Sequence, residues 1–253
     1  MIKYLGIFIL LFSFFSCKEE SKRTAVVDAD TLLENTINAH GGNLYKNSII
    51  SFKFKSFNYT LKRDDNDYEY QMIREEKDVL KEAKTFNGGF EYFEDGEQKE
   101  LSARLSSMFT NRINSMAYWI YIPYEFSTND AIKEYIGKDV LRGNEYHKLK
   151  ITYRQFEGLP EDDRIYILWI DTKKFEIDFV AVGNLNDTNG KKFYAAGNKR
   201  KIKGMLFSDY EMYNTKTKSK EINFEDLGTS YNIGAMLRDN IVTYENISVE
   251  RVN

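Results

Sequence analysis

The side chains that most often perform catalysis or bind metals are few in this chain. It has one cysteine, Cys17, and two histidines, His40 and His147. Two histidines are too few for a three-histidine zinc site, and neither belongs to an H-E-x-x-H motif. The chain also lacks the G-x-S-x-G, G-x-x-x-x-G-K and G-x-G-x-x-G motifs of common hydrolases and nucleotide-binding proteins. We therefore predict no catalytic residue, no metal and no cofactor.

Carboxylates are abundant, and Glu161, Asp162 and Asp163 are consecutive. Their spacing does not match a calcium-binding EF-hand loop. They follow Gly158 and Pro160, which predicts a solvated hairpin turn. A pair of carboxylates that hydrolyses sugars is defined by distance in space, so the sequence leaves that chemistry open.

Cys17 ends an N-terminal segment that has the layout of a secretory signal. Lys3 supplies a positive charge, residues 4–15 form an apolar run, and Ser16 is the small residue before the cysteine. The run is too short for a permanent membrane-spanning helix. The sequence therefore predicts a signal peptide over residues 1–17.

The residues around the cysteine, Phe14-Phe15-Ser16-Cys17, resemble the lipobox of bacterial lipoproteins, with Phe in place of the usual Leu. The resemblance implies lipidation of Cys17, and more than one acyl chain would anchor the protein stably because a single chain binds membranes only marginally. The expected partner is then a membrane, and the expected location is the bacterial outer membrane.

The next three residues, Lys18-Glu19-Glu20, resemble the signal that exports some Bacteroidota lipoproteins to the cell surface. A solvated tether explains the same residues equally well, so the periplasmic and the surface locations both stay open. Residues 18–27 are polar and aperiodic, which predicts a flexible tether before a single domain over residues 28–253.

The composition of the chain after Lys3 favours an acidic, β-rich domain. It has 35 Lys and Arg against 39 Asp and Glu, which does not predict nucleic-acid binding. Aromatic residues make up 15% of the chain, and only two prolines interrupt it. This balance predicts a domain rich in β-structure.

The elements that must position any site begin with a helix over residues 30–40. Thr31 and Glu34 form a capping-box pattern, and Gly41 is expected to provide a left-handed C-cap. A long strand is predicted over residues 48–62. Its apolar alternation changes phase at Lys55-Ser56, which predicts a bulge or bend.

Helical spacing of apolar residues, Leu105 and Met108 among them, predicts one helix or two short ones over residues 101–120. The aromatic segment 118–124 overlaps their end. We expect this segment either to fill the sheet as a cover or to face a ligand as a lid. The strands over residues 165–170 and 175–182 are nearly continuous in apolar character, which predicts the centre of the sheet. Further strands are predicted over residues 79–86, 202–213 and 220–224.

Five segments suggest a family. They are Ile37-Asn38-Ala39-His40-Gly41-Gly42, Phe52-Lys53-Phe54, residues 146–153, Trp169-Ile170-Asp171-Thr172 and residues 204–210. They resemble an uncharacterised family of Bacteroidota lipoproteins, and more distantly the LolA/LolB lipoprotein carriers, which are half-barrels covered by helices. The resemblance implies a β-rich α+β fold in which a curved antiparallel sheet, a half-barrel, is covered by a few helices. By analogy of fold alone, it also implies a domain that binds a hydrophobic ligand.

The expected site is therefore the concave face of a curved sheet, where an acyl chain or another hydrophobic ligand would bind without catalysis. We predict that its lining is Phe52, Phe54, Tyr59, Met108, Met116, Trp119 and Trp169. Two alternatives stay open. One is a surface-exposed module that binds an unknown protein partner. The other is a hydrolase of envelope glycans or lipids with His40 or His147 as general base.

Overall fold

A computed structural model describes residues 27–156, 162–186, 190–215 and 222–252. The predicted signal peptide, the lipidation of Cys17, nearly all of the tether and Glu161 lie outside the described residues and stay predictions. Within the described ranges, none of the helices has the length and apolar character needed to cross a membrane.

The described strands form two antiparallel sheets of seven strands each, and neither sheet closes on itself. In edge-to-edge order, the first sheet contains β14 (Glu245–Arg251), β1 (Asn47–Phe54), β2 (Phe57–Asp64), β3 (Asp67–Glu76), β4 (Val79–Phe86), β5 (Gly89–Glu94) and β6 (Glu97–Gln98). The second contains β13 (Met236–Val242), β12 (Met205–Thr215), β11 (Lys192–Ile202), β10 (Ile177–Asn184), β9 (Arg164–Asp171), β8 (Asn144–Tyr153) and β7 (Ala131–Leu141). The predicted β-rich α+β class with antiparallel sheet is confirmed.

Three α-helices accompany these sheets in the described chain: α1 (Ala29–His40), α2 (Ala103–Tyr121) and α3 (Leu227–Asn232). Short 3-10 helices cover Gly42–Tyr45, Tyr124–Ser127 and Phe224–Asp226. Helix α1 precedes the first sheet, α2 joins the two sheets, and α3 lies between β12 and β13. The chain therefore completes nearly all of the first sheet before it begins the second, and returns to the first only with β14.

The caps of α1 differ from the predicted ones. Asp28 is the N-cap, and its carboxylate accepts hydrogen bonds from the backbone N–H and the hydroxyl of Thr31 at 2.8 and 2.6 Å. Gly41 has a φ of 160°, which is extended, whereas Gly42 has a φ of 56° in the left-handed region. The Asp28 side chain outcompetes Thr31 because its carboxylate reaches the free N–H groups of the first turn.

The predicted single strand over residues 48–62 is a hairpin of β1 and β2. Phe54 and Phe57 are directly opposite in register, and Lys55 and Ser56 form the turn, with Lys55 at a φ of 55°. Directly opposite residues share one face of a sheet, so a two-residue turn reverses the phase of the alternation. The change of phase at Lys55-Ser56 therefore marks a turn, and the predicted bulge was wrong.

The order of the second sheet confirms that the strands predicted at its centre, β9 and β10, lie in its interior. The strand β11 was missed because its second half, around Lys199, is polar and resembles a loop. The prediction of a strand over residues 220–224 was wrong for residues 222–224, which the structure describes, because they form no strand and Phe224 begins a 3-10 helix.

Three buried clusters fill the fold. The first lies between α2 and the first sheet and includes Ile113 and Tyr121. The second lies between α1 and one face of the second sheet, and the third covers the opposite face of that sheet with α3 and the 3-10 helix before it. Trp119 packs against the first and the second cluster, so the C-terminal half of α2 links the two sheets.

Candidate functional site: an aromatic groove beside helix α2

A groove of about 500 Å³, open to solvent, lies between α2, the end of β1, β11 and the connection between β13 and β14. Helix α2 turns its buried side toward the first sheet and a second, more polar side toward the groove. The residues that line the groove are Phe54, Asn111, Arg112, Ser115, Met116, Trp119, Tyr194, Val242 and Tyr244. The site therefore draws on both sheets and on the helix that joins them.

The floor of the groove is made of aromatic rings. The ring centroids of Trp119 and Tyr194 are 4.6 Å apart, and those of Trp119 and Tyr210 are 5.5 Å apart. On the other side, Tyr244 lies 5.9 Å from Phe54. Such rings present a large apolar surface, and partial exposure of that surface to water is unfavourable unless a ligand covers it.

Tyr244 is held in place by a polar network below the connection of β13 and β14. Its backbone N–H donates to Asp209 Oδ1 at 3.1 Å, and its carbonyl accepts from Arg200 Nη2 at 2.6 Å. Arg200 and Asp209 also form an ion pair at 2.9 Å, and Asn198 donates to Asp209 at 2.7 Å. This network fixes one wall of the groove through contacts to the backbone.

Tyr194 and Tyr244, which line the groove, and Tyr210, which packs against Trp119, are neutral phenols at physiological pH. Burial raises the pKa of Tyr194 to about 12, and the pKa of Tyr210 to about 12. Burial also raises the pKa of Tyr244, and its hydroxyl has no hydrogen-bond partner among the described residues. The floor of the groove therefore carries no charge of its own.

The rim of the groove is polar and belongs to α2. Asn111 and Ser115 lie one helical turn apart, Trp119 lies one turn further, and Arg112 stands beside them. Asn111, Arg112 and Ser115 are exposed, whereas Met116 and Trp119 are half-buried. A ligand in the groove would thus contact apolar rings at the floor and polar groups along one edge.

Of the residues predicted to line the site, the structure brings Phe54, Met116 and Trp119 to the groove. Phe52 and Tyr59 lie behind it in the first core, stacked at 5.3 Å, and both are buried. Phe52 also packs edge-on against Tyr244 at 5.4 Å. These two rings support the wall of the groove from behind.

Two predicted residues lie elsewhere. Met108 is 46% exposed near the N-terminal end of α2 and is not part of the groove lining. Trp169 is fully buried in the third cluster, on the opposite face of the second sheet from Tyr194. The register explains its position: Leu168 and Tyr194 are both opposite Val180 and share its face, so Trp169 points the other way.

Sequence reasoning missed six lining residues: Asn111, Arg112, Ser115, Tyr194, Val242 and Tyr244. The helical spacing of Asn111, Ser115 and Trp119 was the available signal for the rim, because residues four apart share a helix face. Tyr194 lies on the strand that was not predicted. Val242 ends β13 in the second sheet, and Tyr244 lies in the connection to β14, which pairs with β1 in the first sheet.

Each histidine makes a hydrogen bond within the fold. His40 is 4% exposed, and its Nε2 accepts a hydrogen bond from the backbone N–H of Ile177 at 3.0 Å. Burial lowers the pKa of His40 to about 3. His147 lies in β8, where its Nδ1 is 3.2 Å from the hydroxyl of Tyr135, and burial lowers its pKa as well. Neither imidazole lines the groove.

Acidic side chains in the described ranges do not gather into a metal site: no group of three or more His, Cys, Asp or Glu is placed to hold an ion there. Asp162, from the acidic run in the sequence, forms an ion pair with Arg164 at 2.6 Å. The carboxylate of Asp162 therefore pairs with a residue two positions along the chain.

Comparison with known proteins places the chain in a family. The family of unknown function DUF6503 matches residues 5–239, so the chain belongs to it. No curated protein matches the chain. Membership of the family assigns no activity, because the family itself has none assigned.

Several solved structures are similar to this chain at low identity. A DUF1329 family protein from Desulfovibrio piger has 8% identity over 87% of this chain and 92% of its own, with a TM-score of 0.45. A putative outer membrane lipoprotein-sorting protein domain from Vibrio parahaemolyticus has 10% identity over 81% of this chain and 99% of its own, with a TM-score of 0.43. The Mycobacterium tuberculosis lipoprotein LppX has 11% identity over 62% of this chain and 90% of its own, with a TM-score of 0.28.

Proposed function

We propose that this domain binds a hydrophobic ligand, an acyl chain or a lipid, in the groove beside α2 and performs no catalysis. The observation that carries the proposal is the half-exposed aromatic surface that Phe54, Trp119 and Tyr194 present to the open groove. Ligand sites in proteins are typically concave, lined mainly by apolar and aromatic side chains, and about 300–1,000 Å³ in volume. The groove, at about 500 Å³, is within that range.

The energetics favour an occupied groove. Burying apolar surface contributes roughly 25 cal/mol per Å². A polar or charged ligand would gain little from this floor, because its rings offer no charge and the hydroxyl of Tyr244 is itself buried. An apolar chain loses no hydrogen bonds on entering, so the floor selects for it.

The proposal includes a place in the cell envelope. Lipidation of Cys17, predicted from the sequence, would hold the domain at the outer membrane through the tether over residues 18–27. Mass spectrometry of the protein extracted from membranes tests this part, and an unmodified thiol at Cys17 would contradict it.

The binding proposal is tested with a fatty acid that carries bromine on its chain, because bromine quenches tryptophan fluorescence only at short range. The chain from Lys18 onward is suitable, since it keeps every residue that the structure describes. We expect saturable quenching in the wild type and in Trp169→Phe, which retains Trp119 in the groove. We expect none in Trp119→Phe, whose remaining tryptophan is buried on the other face of the sheet.

A second variant fills the groove. Ser115→Phe places a ring at the rim, and we expect the affinity to fall by about ten-fold or more because apolar ligand area is displaced. Asn114→Phe is the matched control: Asn114 is the neighbouring exposed residue of α2 and does not line the groove. Equal affinities for the two variants, or no quenching by any acyl chain, would contradict the proposal.

A further inference from the structure

The rim of the groove carries a guanidinium without an acidic partner. Arg112 is exposed, and its Cζ lies 5.2 Å from the ring centroid of Phe57. Arg74 approaches the same ring at 5.1 Å, but it forms an ion pair with Glu76 at 2.7 Å. Among the ion pairs of the described residues, none involves Arg112. Two similar side chains thus differ in that only Arg112 keeps its charge unpaired.

A second cation lies at the same end of the groove. Lys55, in the turn between β1 and β2, has its Nζ 5.4 Å from the ring centroid of Phe54, which lines the groove. The described part of the chain offers Lys55 no ion pair either. Phe54 and Phe57 are opposite in register and share a face, so the two cations lie over neighbouring rings.

The acidic groups near the groove do not neutralise this end. Glu245 pairs with Lys53 at 3.7 Å, and Lys53 alternates with Phe54 along β1, so that pair lies on the other face of the sheet. Asp239, in β13, is close enough to Tyr194 to add to the rise in its pKa that burial causes. The excess of positive charge is therefore at the end of the groove beside the turn of β1 and β2.

We infer that the ligand is an anionic amphiphile whose carboxylate or phosphate binds Arg112, supported by the charge of Lys55, while its chain covers the aromatic floor. The inference rests on the proposed function and names the chemistry of the ligand's polar end. A guanidinium presents a planar set of donors that matches the two oxygens of a carboxylate or phosphate. An amphiphile without charge would leave both cations unpaired.

The test compares three ligands that share a sixteen-carbon chain and differ in the head group: hexadecanoate, hexadecyl phosphate and hexadecanol. Each is added to the protein from Lys18 onward with the brominated fatty acid bound, and displacement of the brominated fatty acid restores the fluorescence of Trp119. We expect the two anionic ligands to bind about ten-fold more tightly than hexadecanol. The ratio between hexadecanoate and hexadecyl phosphate then identifies which anion the rim prefers.

Variants assign the preference to the rim. Arg112→Gln is expected to weaken the anionic ligands by about ten-fold and to leave hexadecanol within about two-fold, and Lys55→Gln is expected to weaken them by about three-fold. Arg104→Gln is the matched control, because Arg104 is exposed on α2 but does not line the groove. It removes the same charge and should change none of the affinities.

The outcomes separate this inference from the binding proposal. Equal binding of hexadecanol and hexadecanoate, unaffected by Arg112→Gln, would overturn the anionic head while acyl-chain binding stands. The same loss in Arg104→Gln as in Arg112→Gln would also overturn it, since the effect would be one of net charge. Failure of every ligand to compete would overturn the proposed function. Inorganic phosphate alone should not compete, because the hydrocarbon chain of the ligand supplies most of the affinity.

Discussion

The two tryptophans of this chain lie in aromatic clusters of similar composition, but one cluster is closely packed and the other borders an open groove. Trp169 is fully buried between Phe193 at 5.3 Å and α3, and its Nε1 donates to Asp139 Oδ2 at 3.0 Å. Trp119 is half-buried, with Tyr194 at 4.6 Å and open space beside it. Aromatic content alone therefore does not distinguish a packed core from a binding groove.

The difference lies in the helix that covers each cluster. Helix α3 brings Gly228 so close that a Cβ there would lie 2.8 Å from Cζ2 of Trp169, so helix backbone itself fills the space. Helix α2 presents the exposed Ser115 beside Trp119. A covering helix closes a cluster when its facing residue permits contact, and leaves a groove when its facing side is polar and hydrated.

The largest expected effect is on stability. Trp169→Ala should lower the free energy of unfolding by about 3–5 kcal/mol, because it leaves a large cavity in a close-packed cluster. Trp119→Ala should cost only about 1–2 kcal/mol, because its ring is already partly hydrated. Urea denaturation of both variants measures the difference. Equal losses would show that the two clusters are packed alike.

The next effect tests the close approach of α3. Gly228→Ala should lower the free energy of unfolding by about 2 kcal/mol, because its Cβ has no space beside Trp169. Gly197→Ala is the control, since a Cβ at Gly197 meets nothing within 4 Å. We expect that variant to unfold within about 0.5 kcal/mol of the wild type. A neutral Gly228→Ala would mean that α3 is free to shift.

The smallest effect is the pH dependence of stability that comes from His40, at the end of α1 against the second sheet. The pKa of His40 is lowered by burial to about 3 from an ordinary 6.5, so protons bind the unfolded chain more readily than the folded one. The stability that neutral His40 gives is complete above the unfolded pKa and is lost as the pH falls toward the folded pKa. Between pH 8 and 5.5 we expect a loss of about 1.4 kcal/mol.

His40→Gln isolates this contribution, because its side-chain oxygen also accepts the N–H of Ile177 but does not titrate. Denaturation series at several pH values for the wild type and the variant should diverge below about pH 6.5. Parallel curves would show that His40 is reached by solvent and that this part of the sheet is as open as the groove.

Much of the fold could be predicted from the sequence where local signals agree. The strand over Val79–Phe86 has the same bounds in the prediction and in the structure, because turn residues flank it on both sides. The helix α2 followed from its spacing, although Leu105 and Met108, expected on its apolar face, are exposed. Helical spacing identifies a stripe of residues, but tertiary contacts decide how much of it is covered.

The site could be predicted only in part. Phe54, Met116 and Trp119 share the groove, whereas Trp169 could not be assigned to a face because β9 is apolar at nearly every position. A strand buried on both faces loses the alternation that separates its two sides. The unpaired charge of Arg112 could not be predicted, because the sequence does not show which acidic side chains the fold brings near it.

The pairing of β14 with β1 means that the groove forms late in folding. Phe54 comes from β1 and Tyr244 from the segment just before β14, and most of both sheets is synthesised between them. Closing so long a stretch of chain has an entropic cost that only the completed packing offsets. Nearly the whole domain must therefore be available to fold before the two walls of the groove can meet.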